Sequence, residues 1–172
     1  MSSEQSSDVD DAAVADELRA HHAIMIGDLH RLTAELFAAA STGDDSSAAK
    51  HELVQWITGV LIPHAEEEEA TTYAACGELS QGRLLIESML AEHVLIRQTA
   101  AGMSEAKDPL VAATYGRVLF DIFDSHQRKE NDIVLPLLVA SADVSLAEVM
   151  AGAHGHEHAH DHGGAHDHGH RY

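Results

Sequence analysis

Apolar residues recur along this chain at helical spacing in four separate stretches. Leu18, His22, Met25, Leu29, Leu32 and Leu36 step by four and three in alternation, which predicts one amphipathic helix beginning near Ala12. Ser41 to Ser47 interrupts it, with Ser47 as a candidate N-cap for the next helix. That helix is expected from about Ala48 to Cys76, stopping at Gly77, with Leu53, Ile57, Val60/Leu61, His64, Glu68 and Thr71 facing inward. Pro63 removes a backbone donor and presses on the carbonyl of Gly59, so a kink is expected just before His64. A third helix opens at Ser80 or Gln81 and carries Leu85, Met89, His93, Ile96, Ala100 and Met103. Asp108-Pro109 starts a fourth, with Asp as N-cap and Pro at the first position. Its inward line is Ala112, Tyr115, Leu119, Ile122, His126, Glu130 and Ile133/Val134, and it ends between Pro136 and Ala140. A short helix over 145–151 follows.

Short connections between these helices predict an all-α fold, an antiparallel up-down-up-down four-helix bundle over residues 12–151. Residues 1–11 are rich in Ser and Asp and are expected to be disordered, as is a low-complexity tail over 152–172. Sparse aromatics and three prolines agree with a helical domain. The formal charge of −19, from 10 Lys plus Arg against 29 Asp plus Glu, argues against nucleic acid or an anionic membrane as partner. Cys76 is the one cysteine, so neither an internal disulfide nor a thiolate cluster can form. No secretory signal and no bilayer-length apolar run is visible, and a cytoplasmic location is expected.

Each helix places a histidine on its inward line, and two of these carry a glutamate four residues on: His64 with Glu68, and His126 with Glu130. Residues at i and i+4 lie over one another on a helix, so each pair can point into one small volume. Buried imidazoles and carboxylates need partners, and a metal supplies them together. His22, His64, Glu68, His93, His126 and Glu130 are therefore the candidate ligands. Six donors exceed one tetrahedral zinc site, and imidazole with carboxylate suits iron. His21 and His30 fall off the inward line and are expected to be solvated.

The order His22, His64-x-x-x-Glu68, His93, His126-x-x-x-Glu130 resembles the hemerythrin-like (HHE cation-binding) domain. Glu69 and Tyr73 after the first pair, Glu92-His93-x-x-Ile96-Arg97, and Leu135-Pro136-Leu137-Leu138 add to the likeness, which covers about Ala12 to Ala140. The resemblance implies a four-helix bundle holding two iron ions with an oxo or hydroxo bridge. It also implies a small partner: dioxygen, nitric oxide or peroxide. The ferritin-like alternative uses Glu-x-x-His pairs, the reverse order. Against an oxygen-carrying hemerythrin, this chain has Arg97 where a second third-helix histidine would stand. It has Asn131 where an aspartate would follow the last histidine. Either an iron keeps an open position, or Tyr73, Tyr115 or Glu67 supplies a further oxygen. Tyr115 lies roughly 16 Å along its helix from His126, and Arg97 is expected to pair with Glu67 or another surface carboxylate. An incomplete, oxygen-rich shell points to an enzyme-like di-iron protein, peroxidase- or catalase-like, consuming peroxide or nitric oxide. The other reading is a non-catalytic oxygen, iron or nitric oxide sensor or store. No redox partner can be named.

The tail adds a separate chemistry. His154, His156, His158, His160, His162, His166, His168 and His170 alternate with Gly, Ala and acidic residues. Neutral imidazoles in such a tract would chelate nickel, zinc, copper or ferrous iron and release them when protonated below roughly pH 6. The tail is expected to buffer metal or deliver it to the bundle.

Overall fold

The computed structural model describes residues 4–157, with side chains over 11–152, and every regular element among them is helical. Helix α1 spans Glu4–Thr42. The second run comprises α2 (Ser47–Trp56), a π-helical turn (Ile57–Leu61), α3 (Ile62–Ala70) and α4 (Thr72–Glu78). Helix α5 spans Arg83–Glu105. The fourth run comprises α6 (Pro109–Lys129), a second π-helical turn (Glu130–Val134) and α7 (Leu135–Val139). Helix α8, Leu146–Glu157, closes the described chain. None of these helices is long and apolar enough to cross a membrane.

Two apolar clusters form the core. One gathers Leu29, Leu36, Leu53, Leu61, Met103, Leu119 and Phe123; the other gathers Ala15, Tyr73, Met89, Val134, Leu138 and Leu146. Each of the four runs passes through both, and on each run the expected histidine falls between them. His22 lies between Ala15 and Met25, His64 between Leu61 and Tyr73, His93 between Met89 and Ile96, and His126 between Phe123 and Val134. One polar layer is thus enclosed above and below by hydrocarbon.

Several expected boundaries move. Helix α1 starts at Glu4 rather than near Ala12, and Asp11, expected in a disordered segment, is buried. Its carboxylate accepts hydrogen bonds from Ser145 Oγ and Ala147 N, and so caps α8. Helix α8 runs on to Glu157, past the expected edge of the tail at residue 152. The remaining tail residues, His158 to His170, lie outside the described residues, as do the side chains of His154 and His156. Ser47, the expected N-cap, is the first residue of α2; Ser46 holds the cap position without a side-chain capping bond, and Asp45 accepts from Ser47 N. Helix α5 begins at Arg83, two residues beyond Gln81.

The expected single helix over 48–76 is broken twice. Pro63 cannot donate to Gly59, and the backbone widens into the π turn that ends at Leu61, two residues before it. The same arrangement recurs at Val134 and Pro136. The second break is at Thr71 (φ −119°, ψ −92°), where the helix stops and restarts. Gly77 is not a stop: the run continues through Glu78, and Gly43 is the described glycine with positive φ (77°). On α6 the buried line is Ala112, Gly116, Leu119, Phe123, His126 and Glu130. Tyr115 and Ile133 are exposed instead, because Tyr115 packs its ring on the bare backbone of Gly102.

Two glycine substitutions separate these readings. A Cβ at Gly82 would stand 1.8 Å from the carbonyl oxygen of Cys76, whereas one at Gly77 meets nothing within 4 Å. Chemical denaturation should find Gly82→Ala destabilised by about 2 kcal/mol or more. Gly77→Ala should be neutral or up to about 1 kcal/mol more stable.

Candidate metal centre

All six candidate ligands converge in the polar layer and are buried. Their donor atoms form two overlapping groups, each within 4.8 Å: His22, His64, Glu68 and Glu130, and Glu68, His93, His126 and Glu130. Both carboxylates belong to both groups. Glu68 Oε1 lies 3.0 Å from His64 Nε2 and 3.5 Å from His22 Nε2, while Oε2 lies 3.6 Å from His93 Nε2. Glu130 Oε1 lies 3.1 Å from His126 Nε2.

The outer edges of the rings explain why the inner edges face one another. His93 Nδ1 is 2.8 Å from Glu69 Oε1, and His126 Nδ1 is 2.9 Å from Glu92 Oε2. A carboxylate accepts, so both Nδ1 atoms donate. His22 Nδ1 likewise donates to Asn131 Oδ1 at 2.8 Å. In a neutral imidazole anchored this way, Nε2 carries a lone pair and points at the carboxylates. Lone pairs then face lone pairs. Around Glu130 the Tyr73 hydroxyl and the Gln127 amide supply donors; between Glu68 and its imidazoles only extra protons or cations remove that repulsion.

The electrostatics agree. Burial works against the Glu68 carboxylate, but the neighbouring His22, His64 and His93 imidazoles hold it well below the usual carboxylate range. Burial lowers the His64 and His126 imidazoles, and Glu68 and Glu130 respectively more than offset this, so both are raised. Without metal, the layer stabilises itself by holding protons. Glu68 Oε2 nevertheless has no hydrogen-bond partner among the described residues. That orphaned, buried carboxylate oxygen at the junction of the two donor groups is what a bound cation would satisfy. The residues present fit a pair of metal ions.

The secondary candidates separate cleanly. Tyr73 is buried, donates its hydroxyl to Glu130, lies 3.0 Å from His126 Nε2 and stacks on His93. Its inward position follows from the break at Thr71, which resets the helical phase that would otherwise turn it off the Glu68 face. Burial, then the charges of Glu130 and Glu68, push its phenol far above the ordinary value. Tyr115 is not at the site. Glu67 is exposed and lies on the cavity wall, outside both donor groups. Arg97 pairs with Glu69 at 2.8 Å rather than with Glu67, and so steadies the acceptor behind His93. Lys129 does the same for Glu92 behind His126. His21 and His30 are exposed, His30 against the Phe120 ring.

Gln127 was not expected at the site. It is buried, donates to Glu130 Oε2 at 2.8 Å, and lies 3.4 Å from His64 Nε2. Its signal in the sequence is only that Gln127, Glu130 and Val134 share one helical line. A cavity of about 420 Å³ opens onto the layer from the side of α8, lined by Val14, Leu18, His21, Glu67, Tyr73 and Met150 among others.

The model of the hemerythrin HHE cation-binding domain matches residues 13–138. The chain belongs to that family. No curated protein and no solved structure gives a significant match. The matched span contains all six donors, both π turns and all but the outermost wall of the cavity, which α8 supplies. This hemerythrin-family chain therefore carries the cation-binding domain with its inward histidines and carboxylates together.

The proton-held layer gives a pH test. The raised His64 and His126 stabilise the metal-free fold fully below their ordinary value of 6.5, and that contribution is lost as pH rises through their folded values. The depressed Glu68 contributes above its ordinary 4.5 and is lost only as pH falls through its lower folded value. Thermal unfolding of chelator-treated protein should thus occur at its highest temperature between pH 4.5 and pH 6.5 and fall as pH rises above 6.5. The increment from added metal should grow over the same span, because metal displaces the protons.

Proposed function

We propose that this chain holds two iron ions, joined by an oxo or hydroxo bridge, and consumes small oxidising ligands, peroxide or nitric oxide. The observation that carries the reading is Glu68, a member of both donor groups, with His22 and His64 facing its Oε1, His93 facing its Oε2, and Oε2 left without a hydrogen-bond partner among the described residues. His22 and His64 would hold one ion, His93 and His126 the other, with Glu68 and Glu130 common to both. An antiparallel up-down-up-down bundle belongs to this reading. The two core clusters are met in opposite order on successive runs, which supports it.

When bound, the iron pair supplies electrons and Lewis acidity that no side chain here can supply. The chain's own residues do the rest. The apolar residues of the cavity lining reduce the number of water partners over the layer. Glu69 and Glu92 fix the tautomers of His93 and His126 and raise their basicity as ligands. Tyr73 holds a proton on its phenol oxygen beside Glu130, where a reacting oxygen could take it. Tyr115, exposed on α6, takes no part. Arg97 faces Glu69 and acts on His93 rather than on a ligand.

The tail has a place in the same reading. Helix α8 lines the cavity with Ala147, Met150 and Ala151 and leads directly into the first tail histidines. Metal captured by the tail would then pass to the bundle. A non-catalytic sensor or store needs the same six ligands, and catalysis divides the two readings.

Iron-loaded protein should show oxo-to-iron charge-transfer absorption and consume hydrogen peroxide faster than an equal amount of free iron. Tyr73→Phe should keep its iron and lose turnover by about tenfold to a hundredfold. Reversible oxygen binding without turnover would support the store or sensor instead. Replacing the eight tail histidines with alanine should slow iron loading and leave the loaded spectrum unchanged.

A further inference from the structure

The cavity over the metal layer is larger than a diatomic or hydrogen peroxide requires. It measures about 420 Å³. A water's share of liquid is roughly 30 Å³, so two ions and a bridging oxygen take no more than roughly 100 Å³. The remainder falls at the lower end of pockets that bury organic ligands.

Its lining is mixed. The candidate ligands and Tyr73 form a polar floor, and Glu17, His21, Glu67, Thr71 and Thr72 add polar groups around it. The rest of the lining is apolar: Val14 and Leu18 from α1, Leu135 from α7, and Ala147, Met150 and Ala151 from α8. Hydrogen peroxide gains nothing from such walls, because it leaves its hydrogen bonds to water behind on meeting them. An alkyl or aryl group gains from them in proportion to the apolar area it buries. Methionine at position 150 is the side chain best suited to adapt to such a group, being unbranched and polarisable.

We propose that the cavity is a binding site for organic hydroperoxides, with the apolar body between α1 and α8 and the hydroperoxyl group on the polar floor. This rests on the peroxide reading above and names the substrate class of that site. The overall conversion is ROOH + 2 R′SH → ROH + H₂O + R′SSR′, with an external thiol as reductant. The O–O bond breaks and the two thiols are oxidised: of their two S–H bonding pairs one becomes the new S–S bond, the other two electrons reduce the peroxide oxygens, and the alcohol and water oxygens take up the two thiol protons.

The test uses the full chain and a product that cannot react. Cumyl alcohol is titrated into metal-free protein carrying ¹³C-methyl methionine, and the Met150 resonance is followed, assigned with Met150→Leu. Met103, in the other core cluster, serves as internal reference. The proposal predicts a saturable shift of Met150 with Met103 unmoved. Ala151→Trp, which fills the cavity from an exposed helix position, should weaken that binding at least tenfold. In iron-loaded protein with dithiothreitol, the same variant should lower the preference for cumene hydroperoxide over hydrogen peroxide by about tenfold. A Met150 resonance that does not move, or moves without saturating, overturns the proposal even if hydrogen peroxide is consumed. Saturable binding with neither peroxide consumed instead overturns the peroxide reading and leaves the cavity's preference for apolar-bodied ligands standing.

Discussion

Four imidazole nitrogens and two carboxylates face one another inside a hydrocarbon interior, and the rest of the molecule is arranged around that conflict. Each buried carboxylate would by itself cost several kcal/mol of lost hydration. Neighbouring imidazoles relieve the cost only if they carry an extra proton, and the outer nitrogens of three of them already donate to Asn131, Glu69 and Glu92. Protons held between rings and carboxylates relieve the conflict without metal, and bound cations would take their place. Both states rest on the same six side chains, which is why the geometry is complete before any ion is considered.

The surrounding fold serves this layer in two ways. Apolar clusters above and below it hold the helices in register, so that the histidine on each run arrives at the same height. Each His-x-x-x-Glu pair also adjoins a π turn and a proline. Pro63 lies beside His64, and Glu130 opens the turn that precedes Pro136. A widened turn adds a residue's worth of rotation within one helix, which lets a side chain be aimed without disturbing the packing on either side. Outside the layer, Arg97 and Lys129 fix the carboxylates that in turn fix His93 and His126. The acceptor behind each of these rings comes from a different run: Glu69 from α3 for His93, and Glu92 from α5 for His126.

That crossing marks the limit of what the sequence reveals. The six inward donors were legible because i, i+4 spacing and an alternating apolar line are local features, and helix geometry converts them directly into a shared face. The Asp108-Pro109 start was legible for the same reason, and Asp108 accepts from Leu110 N and Val111 N. The anchors were not, since Glu92 neighbours His93 in sequence but serves His126 across the bundle. Nor was the role of Tyr73, which depends on a helix break at Thr71 that no glycine or proline announces. Tyr115 had the better periodicity and lost to packing, because Gly102 on the facing helix leaves room for its ring outside the core. Gln127 follows buried Phe123 by four residues and precedes Glu130 by three, but a glutamine beside His126 carries no chemical signal of its own in the sequence.

The central claim is that the two donor groups are one unit joined through Glu68 and Glu130. Anaerobic ferrous titration tests it most directly, on protein whose eight tail histidines are alanine so that the tail takes no iron. The unmodified bundle should take up two irons per chain, and Glu68→Ala should lose both together, because each position loses the same shared carboxylate. Retention of one tightly bound iron in that variant, or of both at wild-type affinity, would contradict the account. The two groups would then be independent sites that happen to share a layer.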